Sequence, residues 1–460
     1  MVAGGLAAVA GCLALAFPAT AAADSTRGPG HGTYDVALSW HAHDHRLDGT
    51  ERVSFENTRR RAIRSVWVRL WANGVASCEH PRISAKVLAG GQAAGSAAAC
   101  TALKVRLGHD LASGKRAAVR LRFSVRVPSG NGSLGRSPGG PTLLGNALPT
   151  LAVTDGRGTH LEPYSKIGEA GYSLTSSWHV RLDLRRGLAA ATTGVQTGSS
   201  AISATTRRLR FEAPRARDFE LAIGPMHRHT TTAGGVRIRF FDMLPAGAAT
   251  DRLRKQGLAA ARGDLLAYVM RFGPYGAPEL DVVQAPSIDG EGMEYPELVF
   301  VEMTAASGGA DGWPHTAGLI AHEVAHQWFY GMVGNNQWRE PWLDESFATF
   351  ASGSPSHHCT SGDPLTGYPS SVRLTSTMGF FDAHPSGDYY GGLYGGGACA
   401  LRDLRAGFGT QRFNGLLRSW VSTHRYGLAT TRGFVTAIRA AAPPGFDVDG
   451  FLRASRIDVR

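Results

Sequence analysis

Two hydrophobic patterns divide the chain. Over residues 34–224, apolar and polar residues alternate in short runs, as at 65–71 and 118–125, and Gly-rich segments separate the runs. A period of two puts the apolar side chains on one face of a strand, so this region is predicted to form half-buried strands of an antiparallel sheet or sandwich. The Gly- and Ser-rich stretch 129–140 is predicted to be an exposed loop.

The pattern changes after the Thr- and Gly-rich segment 230–235. Residues 248–272 carry Leu253, Leu265 and Val269 at helical spacing, and Gly273-Pro274 would end that helix. Short apolar runs at 280–283 and 298–301 are predicted strands, and helices should dominate after residue 315. The chain is therefore predicted to be α+β, with an N-terminal antiparallel β domain at 24–232 and a mixed α/β, mostly helical domain at 233–460.

The N-terminus indicates export. Residues 1–23 carry no charge and end in Ala21-Ala22-Ala23, the small-x-small pattern of a signal-peptidase site. The segment before Cys12 also fits a lipoprotein cleavage box, so lipid anchoring at the outer face of the membrane stays open as an alternative. Free secretion is favoured because the apolar run continues past Cys12. No later stretch has the ~20 apolar residues that span a bilayer.

The remaining cysteines fit an oxidising compartment. Without Cys12 their number is even, which allows three connectivities. We favour Cys78–Cys100 and Cys359–Cys399, because each pair then lies inside one predicted domain. A metal site at His357-His358-Cys359 would lack a second cluster with ligand spacing.

The formal net charge of +11 comes mostly from Arg residues spread along the chain rather than interleaved with aromatic residues. That distribution favours a solvated basic surface and argues against a nucleic-acid partner.

A short motif in the second half supplies candidate metal ligands. In His322-Glu-Val-Ala-His326, the two histidines are four positions apart and would face one point from a helix. Two imidazoles so placed can bind one Zn²⁺ at about 2.0–2.1 Å, and Glu323 beside them can take a proton from water without being a ligand. Pro341 would open a second helix that returns Glu345 to the imidazoles, completing a His₂Glu site with a fourth position open for water.

These residues resemble the aminopeptidase N family of gluzincins, to which leukotriene-hydrolase-type enzymes also belong. The resemblance rests on 322–331 together with 340–348, and the eighteen residues between His326 and Glu345 differ from the spacing of thermolysin-type endopeptidases by one. Segments 146–151 and 217–219 look like landmarks of the family's saddle-like β domain. The resemblance thus implies a saddle-like β domain followed by a thermolysin-like catalytic domain. Because the sequence ends at Arg460, we expect no large helical C-terminal domain over the cleft.

The resemblance also implies roles for residues outside the zinc motif. Gly292-Met293-Glu294 resembles the GxMEN segment, whose glutamate holds the free amino group of the substrate, although Tyr295 stands where Asn is usual. A carboxylate beside the zinc cleft would pair with an ammonium and select the first peptide bond. Tyr394 corresponds to the oxyanion-donating tyrosine of the YxKGA segment. Two neighbouring tyrosines, Tyr389 and Tyr390, are rivals for that role.

The sequence therefore predicts a secreted zinc metallopeptidase that acts on peptides with a free N-terminus. A zinc endopeptidase of relaxed specificity and a zinc- or peptide-binding module without turnover are the alternatives. The preferred first residue, the natural substrate and the oligomeric state do not follow from the sequence.

Overall fold

The structure is a computed structural model that describes residues 27–74, 76–309, 312–353, 359–384 and 388–459. The predicted signal peptide, Cys12 and the pair His357-His358 lie outside the described residues. Within the described ranges, no helix is both long and apolar enough to cross a bilayer.

The N-terminal half is built from strands, as its alternating pattern predicts. In chain order they are β1 (Gly30–His41), β2 (Arg46–Glu56), β3 (Ile63–Arg69), β4 (Ile83–Ala89), β5 (Gly91–Ala97), β6 (Ala102–Leu111), β7 (Arg116–Arg126), β8 (Leu134–Arg136), β9 (Thr142–Leu144), β10 (Thr150–Leu151), β11 (Thr154–Asp155), β12 (Gly158–Thr159), β13 (Ser176–Arg185), β14 (Ala189–Thr192), β15 (Val195–Ala201), β16 (Thr206–Ala216) and β17 (Leu221–Gly224).

The largest sheet has the strand order β15-β16-β13-β1-β2-β7-β4. Its neighbours pair antiparallel except for β1 and β13, which are parallel, so the sheet is mixed at this one pair where the pattern predicts antiparallel pairing. Along β2, Leu47, Val53 and Phe55 are buried whereas Arg52 is exposed. This alternation buries one face of the sheet against a core that β3 and β6 share.

The stretch predicted as an exposed loop, 129–140, contains a strand. β8 pairs with β9, and Leu134 is buried in the core of the β half. One apolar side chain and the backbone pairing outweigh the turn-forming composition around them.

The second half opens with a hairpin and continues with helices around a five-stranded sheet, which confirms the predicted α+β class. Its strands are β18 (His227–Ala233), β19 (Val236–Asp242), β20 (Glu279–Ala285), β21 (Gly292–Met293), β22 (Leu298–Glu302), β23 (Val333–Gly334) and β24 (Gly427–Leu428). Its helices are α1 (Ala248–Phe272), α2 (Trp313–Ala325), α3 (Trp342–Ser352), α4 (Met378–Asp382), α5 (Gly397–Phe408), α6 (Thr410–His424), α7 (Thr431–Ala441) and α8 (Val448–Ala454), with a π-helical segment at Asp388–Gly396.

The hairpin of β18 and β19 spans the predicted domain boundary at residues 232–233. β19 also pairs with β20 in the sheet β18-β19-β20-β22-β21, so β18 belongs to the sheet of the second half. We therefore propose that the two domains divide between β17 and β18.

Helix α1 holds the helix that carries the predicted metal motif. It spans the residues that the pattern predicts and stops at Gly273, whose φ of 102° favours glycine. Leu253 and Leu265 face the core. The Tyr268 hydroxyl donates to the Ala321 carbonyl of α2 at 2.9 Å, which fixes α2 against α1.

A buried arginine joins the two halves. The Arg217 guanidinium, just after β16, donates to the carbonyl of Tyr330 at 2.8 Å, to that of Ser173 at 3.1 Å and to that of Gly427. Tyr330 lies between α2 and β23, and Gly427 lies in β24, which pairs with β23. One side chain of the β half therefore binds two segments of the helical half.

Both predicted disulfides are present. The Cα atoms of Cys78 and Cys100 are 5.6 Å apart, and those of Cys359 and Cys399 are 5.3 Å apart. The second bond ties the chain beyond α3 to α5, close to the metal motif.

Candidate functional site

Three predicted metal ligands meet where α2 ends and α3 begins. The His322 and His326 Nε2 atoms are 3.0 Å apart, and Glu345 Oε2 lies 3.2 Å from the first and 3.3 Å from the second. A tetrahedral ion with bonds of about 2.0–2.1 Å places its ligands about 3.3 Å apart. Three atoms with these spacings therefore fit a metal site, and all three residues are buried or nearly so.

The orientation of the His326 ring is fixed by contacts at its Nδ1 atom, on the side away from the other two ligands. Its Nδ1 lies 2.7 Å from Asp344 Oδ1 and 3.0 Å from the Phe329 carbonyl. Both neighbours are acceptors, so Nδ1 carries the proton and Nε2 turns its lone pair toward the metal site. Gln337 Nε2 donates to the other oxygen of Asp344 at 2.7 Å and holds that carboxylate in place.

Burial alone would raise the pKa of the Glu345 carboxyl. The His326 and His322 imidazoles beside it nevertheless hold that pKa well below its usual range. Glu345 is therefore an anion, as a metal ligand must be.

Glu323 is packed against the backbone of the edge strand β21. A Cβ atom on Gly292 would lie 2.0 Å from Glu323 Oε1, so any side chain at that position would displace the Glu323 carboxyl group. Glu323 Oε2 is buried without a hydrogen-bond partner among the described residues. Burial raises the pKa of this carboxyl well above its usual value, which is the direction a proton acceptor for water needs.

Two further carboxylates lie beside the metal triad. Glu294 follows β21 and accepts from Gln337 Nε2 at 3.3 Å. Glu169 comes from the β half, and carboxylate oxygens of Glu169, Glu294 and Glu345 all lie within 4.8 Å of one another. Burial raises the pKa of both Glu169 and Glu294 well above the usual value. Repulsion from Glu345 adds to this rise for Glu169, and repulsion from Glu169 adds to it for Glu294.

Tyr394 lies over the metal triad, on the π-helical segment. Its ring stacks on that of His322, with centroids 5.7 Å apart and planes 12° apart. Burial and the Glu345 carboxylate raise the pKa of its hydroxyl well above the usual value, so the phenol keeps its proton. Tyr390 is half exposed, and its hydroxyl donates to the Ile167 carbonyl at 3.2 Å.

A close contact between α3 and α5 fixes the position of the turn that precedes Tyr394. A Cβ atom on Gly397 would lie 1.9 Å from Ser346 Oγ, and the Ser346 hydroxyl donates to the Leu393 carbonyl at 2.7 Å. The absent side chain lets the two helices approach, and the hydrogen bond ties the turn before Tyr394 to the helix that carries Glu345.

A cleft leads from this site into the boundary between the halves. Its volume is about 70 Å³, and Met293 and Glu294 line it from one side and Glu169 from the other. Asp218 and Glu220 also line it.

The sequence motifs did not point to Glu169, Asp344 or Gln337. Asp344 directly precedes the predicted ligand Glu345 on α3, so the sequence could have indicated that it lies near the metal site. Glu169 and Gln337 lie in irregular segments without a spacing pattern, and tertiary packing alone brings them to the site.

A known protein family matches the part of the chain that contains these residues. Residues 265–377, which include α2, α3 and the three candidate ligands, match the model of the peptidase family M1 domain. This part of the chain is therefore similar to the peptidase family M1 domain. The resemblance to the aminopeptidase N-like gluzincins is thereby confirmed.

Curated relatives match this M1 domain over limited lengths. The tricorn protease-interacting factor F2 of Thermoplasma acidophilum is 37% identical over 103 residues, which cover 21% of the chain and 13% of that protein. Aminopeptidase M1 of Arabidopsis thaliana is 27% identical over 195 residues, which cover 37% of the chain and 21% of that protein. The chain thus spans 13% and 21% of the length of these two relatives.

Solved structures match this chain over almost its whole length. The M1 zinc metallopeptidase of Deinococcus radiodurans superposes with a TM-score of 0.63 at 19% identity, covering 94% of each chain. A mutant of that protein bound to a Tyr-Ser-Ala substrate superposes with a TM-score of 0.62 at 20% identity, covering 95% of this chain and 96% of the other. At this identity the match shows a shared two-domain fold.

Proposed function

We propose that this chain is a secreted zinc aminopeptidase that releases the N-terminal residues of peptides. One observation carries the proposal: carboxylate oxygens of Glu294 and Glu169 lie within 4.8 Å of each other and of Glu345, a member of the His₂Glu triad. A metal site beside two such carboxylates suits a peptide whose ammonium group is close to the scissile bond.

One Zn²⁺ would be held by His322, His326 and Glu345. When bound, this ion would act as a Lewis acid that lowers the pKa of water and polarises a carbonyl. Glu323 is the general base. Its buried carboxylate faces the triad, accepts the proton of the attacking water and later delivers it to the leaving amine. The relatives' names and the M1 domain support this assignment by similarity.

The substrate ammonium is bound between Glu294 and Glu169. Burial and neighbouring carboxylates raise the pKa values of both groups, and a cation there would favour their charged forms. Gln337 keeps Glu294 in position. Gly292 and Met293 form the strand edge along which the first residue of the substrate lies. The fixed distance from the ammonium to the metal then selects the first peptide bond.

Tyr394 donates its hydroxyl hydrogen bond to the oxyanion that forms on the attacked carbonyl. The phenol is neutral, and its ring is held against His322, so no reorganisation is needed as the charge develops.

A substrate panel tests the proposal. The purified enzyme is given aminoacyl fluorogenic substrates, short peptides and the same peptides with acetylated N-termini. We expect cleavage of the free-amine substrates and at least about a hundredfold loss on acetylation, since the charge that Glu294 and Glu169 bind is removed. Equal cleavage of the acetylated peptides would instead establish an endopeptidase.

Two variants and a control separate catalysis from binding. Glu323→Gln should retain zinc and lose at least about a hundredfold in kcat, and an unchanged kcat would disprove its role as base. Glu294→Ala should mainly lose the preference for a free amine. Glu212→Gln, on the exposed face of β16, is the matched control and should change neither value. Zinc binding without turnover in the wild type would identify a binding module.

Export completes the proposal. The signal-peptide pattern at residues 1–23 and the two disulfides support an extracellular location. A signal peptide directs export, and disulfides persist in oxidising compartments outside the cytosol. Mass spectrometry of the protein secreted by its native host tests this: an N-terminus near Asp24 without lipid is expected, and a lipidated Cys12 would establish the anchored alternative.

A further inference from the structure

The cleft beside the metal site is lined by two acidic side chains that the proposed reaction does not use. Asp218 and Glu220 precede β17, and both line the cleft together with Glu294. They are 6% and 2% exposed, so they are shielded from bulk water.

Each of the two carboxylates has one oxygen without a partner. The Tyr330 hydroxyl donates to Asp218 Oδ2, whereas Asp218 Oδ1 has no hydrogen-bond partner among the described residues. Glu220 accepts from the backbone of Asn146 and Ala147, whereas its Oε2 has no such partner. Buried carboxylate oxygens are rarely left in this state, so a donor from outside the chain is the natural complement.

The nearest cation does not fill this role. Arg217 donates to three carbonyls, those of Tyr330, Ser173 and Gly427, and its hydrogen bonds hold the two halves together. Among the described residues that line the cleft, none is Lys, Arg or His. Four carboxyl groups, those of Glu169, Glu294, Asp218 and Glu220, thus line the cleft.

The cleft continues from the place where the substrate ammonium would bind. The side chain of the first residue leaves the same α-carbon as the ammonium, so it must enter the space next to Glu294. Tyr295 follows Glu294 and lines this space, and its hydroxyl accepts from Asn146 Nδ2 at 3.2 Å, on the wall beside Glu220. The route from the ammonium therefore leads toward the unpartnered carboxylates.

We propose that this cleft is the pocket for the first side chain of the substrate and that Asp218 and Glu220 select Lys or Arg there. The inference rests on the proposed function, in which Glu294 and Glu169 bind the N-terminal ammonium. A cationic end group would supply donors to Asp218 Oδ1 and Glu220 Oε2 and match their charge. A neutral apolar side chain would leave both oxygens unpartnered.

Isosteric substrate pairs test the inference. Values of kcat/KM are measured for lysyl against norleucyl and for arginyl against citrullinyl fluorogenic substrates, which differ in charge and little in size. We expect the cationic member of each pair to be favoured by at least about tenfold, as expected for a site whose buried polar groups go unpaired with the wrong substrate. A ratio near or below one, with the neutral substrates turned over, overturns the inference and leaves the aminopeptidase proposal intact. No turnover of any free-amine substrate overturns both.

Variants locate the selectivity. Glu220→Gln and Asp218→Asn should each bring the lysyl/norleucyl ratio at least about fivefold closer to one, because a neutral amide binds a cation less strongly than a carboxylate does. Glu212→Gln, the exposed control on β16, should keep the wild-type ratio. If neither pocket variant folds, the substrate ratios of the wild-type enzyme alone decide whether the inference holds. Unchanged ratios in both folded variants would overturn the assignment.

Discussion

Asp344→Asn isolates the contribution of a residue that touches the metal site through another side chain. Asp344 accepts from His326 Nδ1 at 2.7 Å and from Gln337 Nε2 at 2.7 Å. The variant keeps the shape of the side chain and removes its charge. It also places an amide donor opposite one of the two existing donors, because Asn has only one acceptor oxygen.

Both effects weaken zinc binding. Replacing a charge-assisted hydrogen bond by a neutral one costs about 1–1.5 kcal/mol, and the conflict with the Gln337 amide adds about 1 kcal/mol. If Gln337 turns its amide to avoid the conflict, it loses its 3.3 Å bond to Glu294 instead. The sum, about 2–2.5 kcal/mol, corresponds to a loss of zinc affinity of about 30- to 70-fold.

Competition with a chromophoric chelator at fixed pH measures the zinc affinity directly. Asp110→Asn, an exposed aspartate on β6 whose partner is Arg64, is the matched control and should bind zinc as the wild type does. An Asp344→Asn affinity within about twofold of the wild type would refute the idea that this carboxylate orients His326. Thermal unfolding of the apo forms checks that the variant is folded.

Three further predictions address the oxyanion, the acid stability and the packing of the site. Tyr394→Phe should retain zinc and KM but lose about a hundredfold or more in kcat, and steady-state kinetics with an unchanged kcat would contradict its role as donor. Burial would raise the pKa of Glu162, but the His160 and Arg339 side chains lower it to about 2. A carboxyl with a lowered pKa stabilises the fold at pH values above its ordinary pKa near 4.5, and this stabilisation is lost as the pH falls toward 2. Glu162→Gln should therefore lower the free energy of unfolding by about 1–2 kcal/mol at pH 6, after allowance for partial exposure, and by progressively less below pH 4. Urea unfolding at both pH values measures this, and a pH-independent difference would contradict it. Gly397→Ala should cost about 1–3 kcal/mol because its Cβ meets Ser346, whereas Gly415→Ala on α6, with open space around it, should not destabilise.

Local patterns were sufficient for the elements that carry the ligands. The spacing of His322 and His326 requires only a helix, and Pro341 and Glu345 require only that a second helix begin where a proline allows it. α1 was predicted to the residue because Gly273-Pro274 ends a helix in almost any context.

The remaining features depend on contacts between distant segments. The parallel pairing of β1 with β13 is set by the order of strands in the sheet, on which the alternation within each strand carries no information. The strand inside 129–140 exists because β9 pairs with it. Glu169 reaches the metal triad from the β half because the two halves pack together, and no spacing within its own segment encodes that approach.

The buried guanidinium of Arg217 limits how modular this two-domain chain can be. Excising the helical half, or transplanting it onto another β domain, would remove the only charged group that caps the carbonyls of Tyr330 and Gly427 in this structure's described residues. A cut between β17 and β18 would separate the Arg217 guanidinium from the Tyr330 and Gly427 carbonyls that it binds and would open this buried contact to water. The catalytic fragment is thus an unsuitable minimal enzyme, and loss of the β domain should reach the metal helix through the loop that begins at its end.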